Sequence, residues 1–132
     1  MNHEELVEQL VSQFRWSREQ IELGLRDRFK CRYCDKDLLA SVDKFKEWTL
    51  DHIVPKSKLK EGAEDPQNIA VACWVCNVIK RQWDPRTTMP LGNREDLIEV
   101  VRKFLDEKRA HLEEDLSKQR ELVTRLRESW RG

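Results

Sequence analysis

An aspartate and a histidine stand side by side in a stretch of apolar and β-favouring residues, Trp48 to Pro55. The Asp51 carboxylate is a hard oxygen ligand of the kind that divalent cations bind. Histidine titrates near neutral pH, so the His52 imidazole can accept a proton from water. An Asp-His pair by itself is often a coincidence, so its assignment depends on the sequence around it.

Four cysteines flank this pair as two Cys-x-x-Cys motifs, one at Cys31 and Cys34 and the other at Cys73 and Cys76. This spacing is typical of a tetrahedral zinc site with four thiolate ligands. The insert between the motifs is longer than in a simple zinc ribbon, so an element must fold inside it. Four unrelated buried thiols are the alternative. A redox motif is disfavoured because there are two pairs and no surrounding βαβ pattern.

Short elements are expected to position these groups. Residues 48–54 favour a strand that Pro55 ends, because proline has no N–H to donate to a ladder. Ile69–Ala72 favours a second strand after a polar connection, and Cys73–Gln82 favours a short helix. Side chains of adjacent strand residues point to opposite faces, so Asp51 and His52 can serve one substrate only if the strand ends or bulges there.

Helices are predicted on both sides of this centre. Apolar residues at helical spacing indicate a helix over residues 4–14, and Ser17 with Gln20 is typical of a capping box that starts a second one. The stretch from Cys31 to Asp43 is typical of a loop. Asn93 is an expected N-cap, and residues 93–131 contain no proline and no glycine. They predict one long helix, or two with a soft break near His111.

Three segments in order, Leu50–Ser57, Gln67–Ala70 and Cys73–Lys80, closely resemble the HNH endonuclease family. The resemblance covers residues 26–82. It implies two antiparallel strands and a helix that form a ββα-metal unit, clamped by zinc in members with cysteine pairs. The sequence departs from the family's name, because Asp51 stands at the first histidine position and Asn77 at the last. Both are oxygen ligands, which suit Mg²⁺ or Mn²⁺.

The resemblance implies a role for each matching residue. Asp51 and Asn77 would hold one catalytic divalent cation, and His52 would be the general base that activates water. Asn68 would brace the loop between the strands and orient His52. The cationic side chains that follow the second cysteine pair, Lys80 and Arg81, would contact phosphate.

The predicted function is metal-dependent DNA cleavage by phosphodiester hydrolysis, in which the resemblance implies 5′-phosphate and 3′-hydroxyl products. One base and one cation are sufficient for this reaction. The alternative is a non-catalytic zinc module that binds nucleic acid or protein. The simultaneous presence of Asp51, His52 and Asn77 favours the enzyme, because a binding module needs none of them.

The chain of 132 residues has 25 basic and 25 acidic side chains, so its net charge does not indicate a nucleic-acid partner. Residues 26–86 carry thirteen basic and ten acidic groups. This surplus is a weak indication of phosphate contact, and a solvated surface explains it equally well. No apolar run approaches the roughly 20 residues of a membrane span, and the acidic start is not a signal peptide. We therefore expect a cytoplasmic protein.

The predicted fold class is α+β. A single domain over 1–132 would comprise an N-terminal helical segment (1–25), a zinc-clamped ββα-metal core (26–86) and a long C-terminal helical extension (87–132). The apolar stripe of the extension is longer than the small core can cover. Either the N-terminal helices cover the rest after a bend near His111, or a second copy does so in a homodimer.

Overall fold

A two-stranded antiparallel sheet forms the centre of the molecule, with α-helices on both sides of it in the chain. The computed structural model describes all residues, 1–132. The helices and strands in chain order are α1 His3–Phe14, α2 Arg18–Arg26, α3 Val42–Lys46, β1 Trp48–His52, β2 Ile69–Cys73, α4 Trp74–Lys80 and α5 Arg94–Ser129. Three short 3₁₀ turns lie at Lys56–Lys58, Pro66–Asn68 and Pro85–Thr87. The predicted α+β class is confirmed.

The starts of the longer helices follow from their capping residues. The side chains of Asn2 and Ser17 accept hydrogen bonds from backbone N–H groups in the first turns of α1 and α2. Asn93 and Asp96 form a reciprocal capping box at the start of α5. These contacts satisfy N–H groups that have no partner inside a helix.

The sheet pairs β1 with β2 so that Asp51 lies opposite Ala70 and His52 opposite Ile69. Strand β1 ends at His52, two residues earlier than the predicted boundary. The backbone N–H of Val54 donates to the side chain of Asn68 instead of continuing a ladder, and Pro55 follows. Helix α4 begins directly after β2, because Cys73 is both the last strand residue and the N-cap.

The structure corrects one prediction about the helices and decides between two alternatives for another. Residues 42–46 form the short helix α3, capped by Ser41, in a stretch whose first part was predicted as a loop. Helix α5 runs unbroken through His111 to Ser129, so the single long helix is the correct alternative. No helix in the molecule combines the length and apolar character that a membrane span requires.

The hydrophobic core lies between the sheet and the first half of α5. All five residues of β2 are buried, and they pack with Ile98, Val101 and Leu105 of α5. A separate group of stacked and tilted aromatic rings joins the start of α2 to α3 and β1, and it consists of Trp16, Phe29, Phe45 and Trp48. The rings therefore anchor the start of β1, where Trp48 pairs with Cys73 at the start of α4.

Candidate active site and metal centre

One cavity of about 200 Å³ collects the residues singled out for catalysis. Asp51 and His52 line it from the end of β1, and Asn77 lines it from α4. The strand ends at His52, which satisfies the condition that adjacent side chains can face one cavity only where the strand stops. Pro55, Lys56, Arg81 and other residues complete the wall.

The carboxylate of Asp51 is buried, with 5% of the side chain exposed. Its Oδ2 accepts a hydrogen bond from the Tyr33 hydroxyl at 2.6 Å and lies 3.1 Å from the Lys80 ammonium. Burial raises the pKa of Asp51, whereas the charge of Lys80 and the hydrogen bond from Tyr33 act to lower it. The second oxygen, Oδ1, has no hydrogen-bond partner in the protein and is not fully enclosed. It is therefore available to a ligand in the cavity.

The amide of Asn77 presents a second oxygen of the same kind. Its Nδ2 donates to the Thr49 hydroxyl at 3.2 Å, which leaves Oδ1 as the free end of the side chain. A carboxylate oxygen and an amide oxygen on one cavity are the ligand chemistry of Mg²⁺ and Mn²⁺. The donor set thus fits the divalent cation that the resemblance implies.

The imidazole of His52 is held by an acidic residue that the sequence reasoning missed. Its Nε2 lies 2.9 Å from Oε1 of Glu64, in the connection between the strands. This hydrogen bond lowers the pKa of Glu64. Lys56 lies 3.6 Å from the same carboxylate oxygen. No sequence signal marked Glu64, because the loop around it has no motif and its distance from His52 is set by folding.

Asn68 lies outside the cavity and closes the loop that carries Glu64. Its Oδ1 accepts from the Val54 N–H at 2.9 Å, and its Nδ2 donates to the carbonyl groups of Val54 and Ala63 at 3.0 Å each. This geometry suits a loop brace. The Asn68 side chain makes its hydrogen bonds to Val54 and Ala63 and none to His52, so it braces the loop that carries Glu64.

The two residues assigned to phosphate differ in position. The Lys80 side chain is fully buried, and its ammonium donates to the His52 carbonyl at 2.9 Å as well as pairing with Asp51. In this arrangement Lys80 is a counter-ion for Asp51 and does not reach a phosphate. Arg81 is exposed at the cavity wall and has no ion-pair partner, as a phosphate contact requires. The difference arises because α4 ends at Lys80, which points inward, while Arg81 is the C-cap.

The four cysteines form a second centre. Their sulfur atoms all lie within 4.8 Å of one another, and Cys34 and Cys73 are 3.7 Å apart. A tetrahedral thiolate site with metal–sulfur bonds of about 2.3 Å places its sulfurs about 3.8 Å apart. All four thiols are free of disulfides. The predicted clustering is confirmed, and its chemistry fits a tetrahedral zinc ion.

Two cations from other elements lie beside the sulfur cluster. Arg109 of α5 donates to Cys76 Sγ at 3.0 Å. Burial acts to lower the pKa of Lys36, but its hydrogen bonds to Glu47 and the charges of Cys73, Glu47 and Cys34 raise that pKa overall. Four thiolates on a divalent metal carry a net negative charge, and these cations would reduce it.

A family model described as HNH endonuclease matches residues 31–82. This central segment is similar to the HNH endonuclease family, and the match covers less than half of the chain. The HNH match begins at Cys31, slightly later than the resemblance at residue 26, and it contains every residue named above at the two centres except Arg109. No curated protein and no solved structure matched the chain. An HNH segment indicates a nuclease or another function connected with nucleic acid.

Proposed function

We propose that this chain is a metal-dependent DNA endonuclease that hydrolyses phosphodiester bonds with one divalent cation and His52 as general base. The supporting observation is that Asp51, His52 and Asn77 line one cavity, although Asn77 comes from a different element. A module that only binds nucleic acid needs neither the imidazole nor the free oxygens. The HNH match supports the same reaction class.

The proton acceptor in this proposal is Nδ1 of His52. Glu64 accepts a hydrogen bond from Nε2–H, and that tautomer leaves the lone pair on Nδ1. The imidazole therefore takes the proton from water at Nδ1 while Glu64 stabilises the positive charge that forms. Asn68 contributes indirectly, because it fixes the loop on which Glu64 is mounted.

Asp51 and Asn77 would hold Mg²⁺ or Mn²⁺ through their free Oδ1 atoms. The cation supplies charge relief at the phosphoryl oxygens and at the leaving 3′-oxygen. Tyr33 and Lys80 orient the Asp51 carboxylate from behind and favour its ionised form. The exposed cations at the cavity, Lys56 and Arg81, bind the flanking phosphates of the substrate.

The four-cysteine cluster holds a structural zinc ion in this proposal. The metal ties Cys31 and Cys34, which precede α3, to Cys73 and Cys76 at the junction of β2 and α4. All four positions are taken by protein ligands, as in structural rather than catalytic zinc sites. The zinc would therefore hold the start of α4, and with it Asn77, beside β1.

The proposal is tested by incubating the purified chain with supercoiled plasmid in the presence of Mg²⁺, Mn²⁺ or EDTA. We expect nicked or linear plasmid with either cation and none with EDTA. His52→Ala should lower the rate by about 10²–10⁴-fold, since this is the usual contribution of a general base. His111→Ala is the matched control, because His111 is exposed on α5 far from the cavity in the chain.

Two results would contradict the proposal. Full activity of His52→Ala would remove the general-base assignment. Plasmid binding without cleavage, by a zinc-loaded and folded protein in both cations, would favour the non-catalytic module instead.

A further inference from the structure

The second half of α5 projects from the molecule with its apolar side chains uncovered. All residues from 110 to 129 are exposed. Five large apolar side chains in this stretch retain 41–67% of their accessible surface, and they are Leu112, Leu116, Leu122, Val123 and Leu126. Because the helix is unbroken, the N-terminal helices do not fold over it. Most helical stability in proteins comes from packing an amphipathic face, so the uncovered stripe favours a covering partner.

The spacing of the stripe identifies the kind of partner. The side chains along the stripe are spaced by alternating steps of four and three residues, which is the spacing of d and a positions in a heptad repeat. The d positions are Leu112, Gln119 and Leu126, and the a positions are Leu116 and Val123. The repeat covers about two heptads, with Leu122 beside the core positions at g, and its a and d spacing favours a left-handed coiled coil. Valine at a with leucine at d, as at 123 and 126, favours two strands, and a polar residue such as Gln119 at a core position restricts the register.

The same row of d positions begins inside the molecule. Ile98 and Leu105 precede Leu112 on the row at seven-residue intervals, and both are buried against the core of their own chain. The row becomes free only beyond Leu105. A second copy can therefore pair with the distal part of α5 without uncovering the buried core. At the start of the paired segment, Lys108 lies near the Phe104 ring and Arg109 donates to Cys76 Sγ of its own chain.

The charges beside the stripe indicate a parallel arrangement. In a parallel pair, each g position faces the next e position of the other helix. Lys108 at g then meets Glu113 of the second copy, and Asp115 meets Arg120 of the second copy. Both contacts join opposite charges, and the two-fold symmetry makes each of them twice. In an antiparallel pair g faces g and e faces e, so residues 115 and 120 would not meet.

We propose that residues 108–129 pair with the same residues of a second copy as a parallel two-stranded coiled coil. The segment from Leu112 to Ser129 is about 27 Å long at 1.5 Å per residue, so the dimer is short and concentration-dependent. The parallel orientation sets both central units at the same end of the coil. If the proposed nuclease function holds, two cavities then act on one DNA duplex and can cut both strands.

Sedimentation equilibrium of the zinc-loaded full chain over a concentration series tests the pairing. We expect the mass to rise from 15.8 kDa toward twice that value. The double variant Leu116→Glu/Val123→Glu should remain at the monomer mass. Glu114→Lys should dimerise like the wild type, because this position faces away from the stripe at f. A wild-type mass that stays at 15.8 kDa up to high concentration would overturn the proposal.

The orientation is tested by mixing two single variants. Asp115→Lys and Arg120→Glu each place like charges together in their own parallel homodimers, whereas a dimer of one with the other restores both attractive pairs. Native mass spectrometry of the mixture should show the mixed dimer in excess over the statistical proportion. A statistical mixture would overturn the parallel arrangement. Neither readout uses nuclease activity, so the result is independent of the proposed function.

Discussion

At the scale of single residues, the surroundings of Asp51 determine what the cavity can do. A buried carboxylate without a counter-ion would be protonated, because burial disfavours the charged form. The ammonium of Lys80 lies 3.1 Å away and opposes that effect. Burial is the larger effect, so the pKa of Asp51 lies above its ordinary value, and the charge of Lys80 limits that rise.

Removing the Lys80 charge should therefore destabilise the protein. We expect Lys80→Met to lower the free energy of unfolding by about 3–5 kcal/mol, the usual cost of leaving one member of a buried ion pair alone. Urea denaturation at pH 7 with zinc present measures this. Arg81→Met is the neighbouring control, and since Arg81 is exposed it should change stability by no more than about 0.5 kcal/mol. Equal stability of the two variants would contradict the counter-ion role of Lys80.

At the scale of elements, Asp27 connects three parts of the fold. It is the C-cap of α2, and its Oδ2 accepts the Val71 N–H of β2 at 3.0 Å. Arg94 in the first turn of α5 donates to both carboxylate oxygens. Burial raises the pKa of Asp27, but hydrogen bonds from Arg26 and Val71 and the charge of Arg94 outweigh it, so the pKa is lowered overall.

The lowered pKa fixes the direction of the effect on stability. Asp27 is ionised in both the folded and the unfolded chain at pH 7, so its stabilising contribution is fully present there. The contribution begins to decline as the pH falls below the ordinary aspartate value of 3.8 and is lost as the pH passes through the lower value of the folded state. Measurements at neutral pH therefore report the whole effect.

Asp27→Ala should lower the free energy of unfolding at pH 7 by about 3–5 kcal/mol, because it leaves the partly buried guanidinium groups of Arg26, Arg32 and Arg94 without their buried acceptor. Asp27→Asn should cost less, since its amide oxygen can still accept the Val71 N–H. Urea denaturation measures both. Asp106→Ala, at an exposed position of α5, provides the control. If Asp27→Ala were as stable as this control, Asp27 would not join the three elements energetically.

At the scale of the whole molecule, the cysteine cluster joins segments that are far apart in the chain. Cys34 and Cys73 are 39 residues apart, and their sulfur atoms nearly touch. In small sites the free energy of metal binding is available to folding, with apparent values of about 10–16 kcal/mol for structural zinc in short peptides. The central unit should consequently depend on the metal.

We expect elemental analysis to find one zinc ion per chain. Cys73→Ser should lose the zinc and unfold the central unit, as seen in a lost cooperative melting transition. Trp74→Ser, a change of the exposed residue next to this ligand, should keep the metal. A metal-free wild type with unchanged melting would refute the structural role of zinc.

Local features of this protein could be predicted from its sequence. The helix starts at Ser17 and Asn93 could be predicted, and the start at Asn2 has the same local origin. In each case the capping side chain accepts a hydrogen bond from a backbone N–H only three residues away. The cysteine spacing indicated the metal cluster for a similar reason, since each pair lies within one turn of chain. The Asp-His pair and its end-of-strand position were likewise set by neighbours in sequence.

Only the tertiary structure decided how these pieces combine at the site. Tyr33 reaches Asp51 across 18 residues, Lys80 reaches the His52 carbonyl across 28, and Glu64 reaches His52 across 12. None of the three contacts leaves a periodic or local signal, because each depends on how β1, α4 and the connecting loop pack. The sequence therefore determined which groups could do chemistry, and packing between distant segments decided which of them face the cavity and which lie buried behind it.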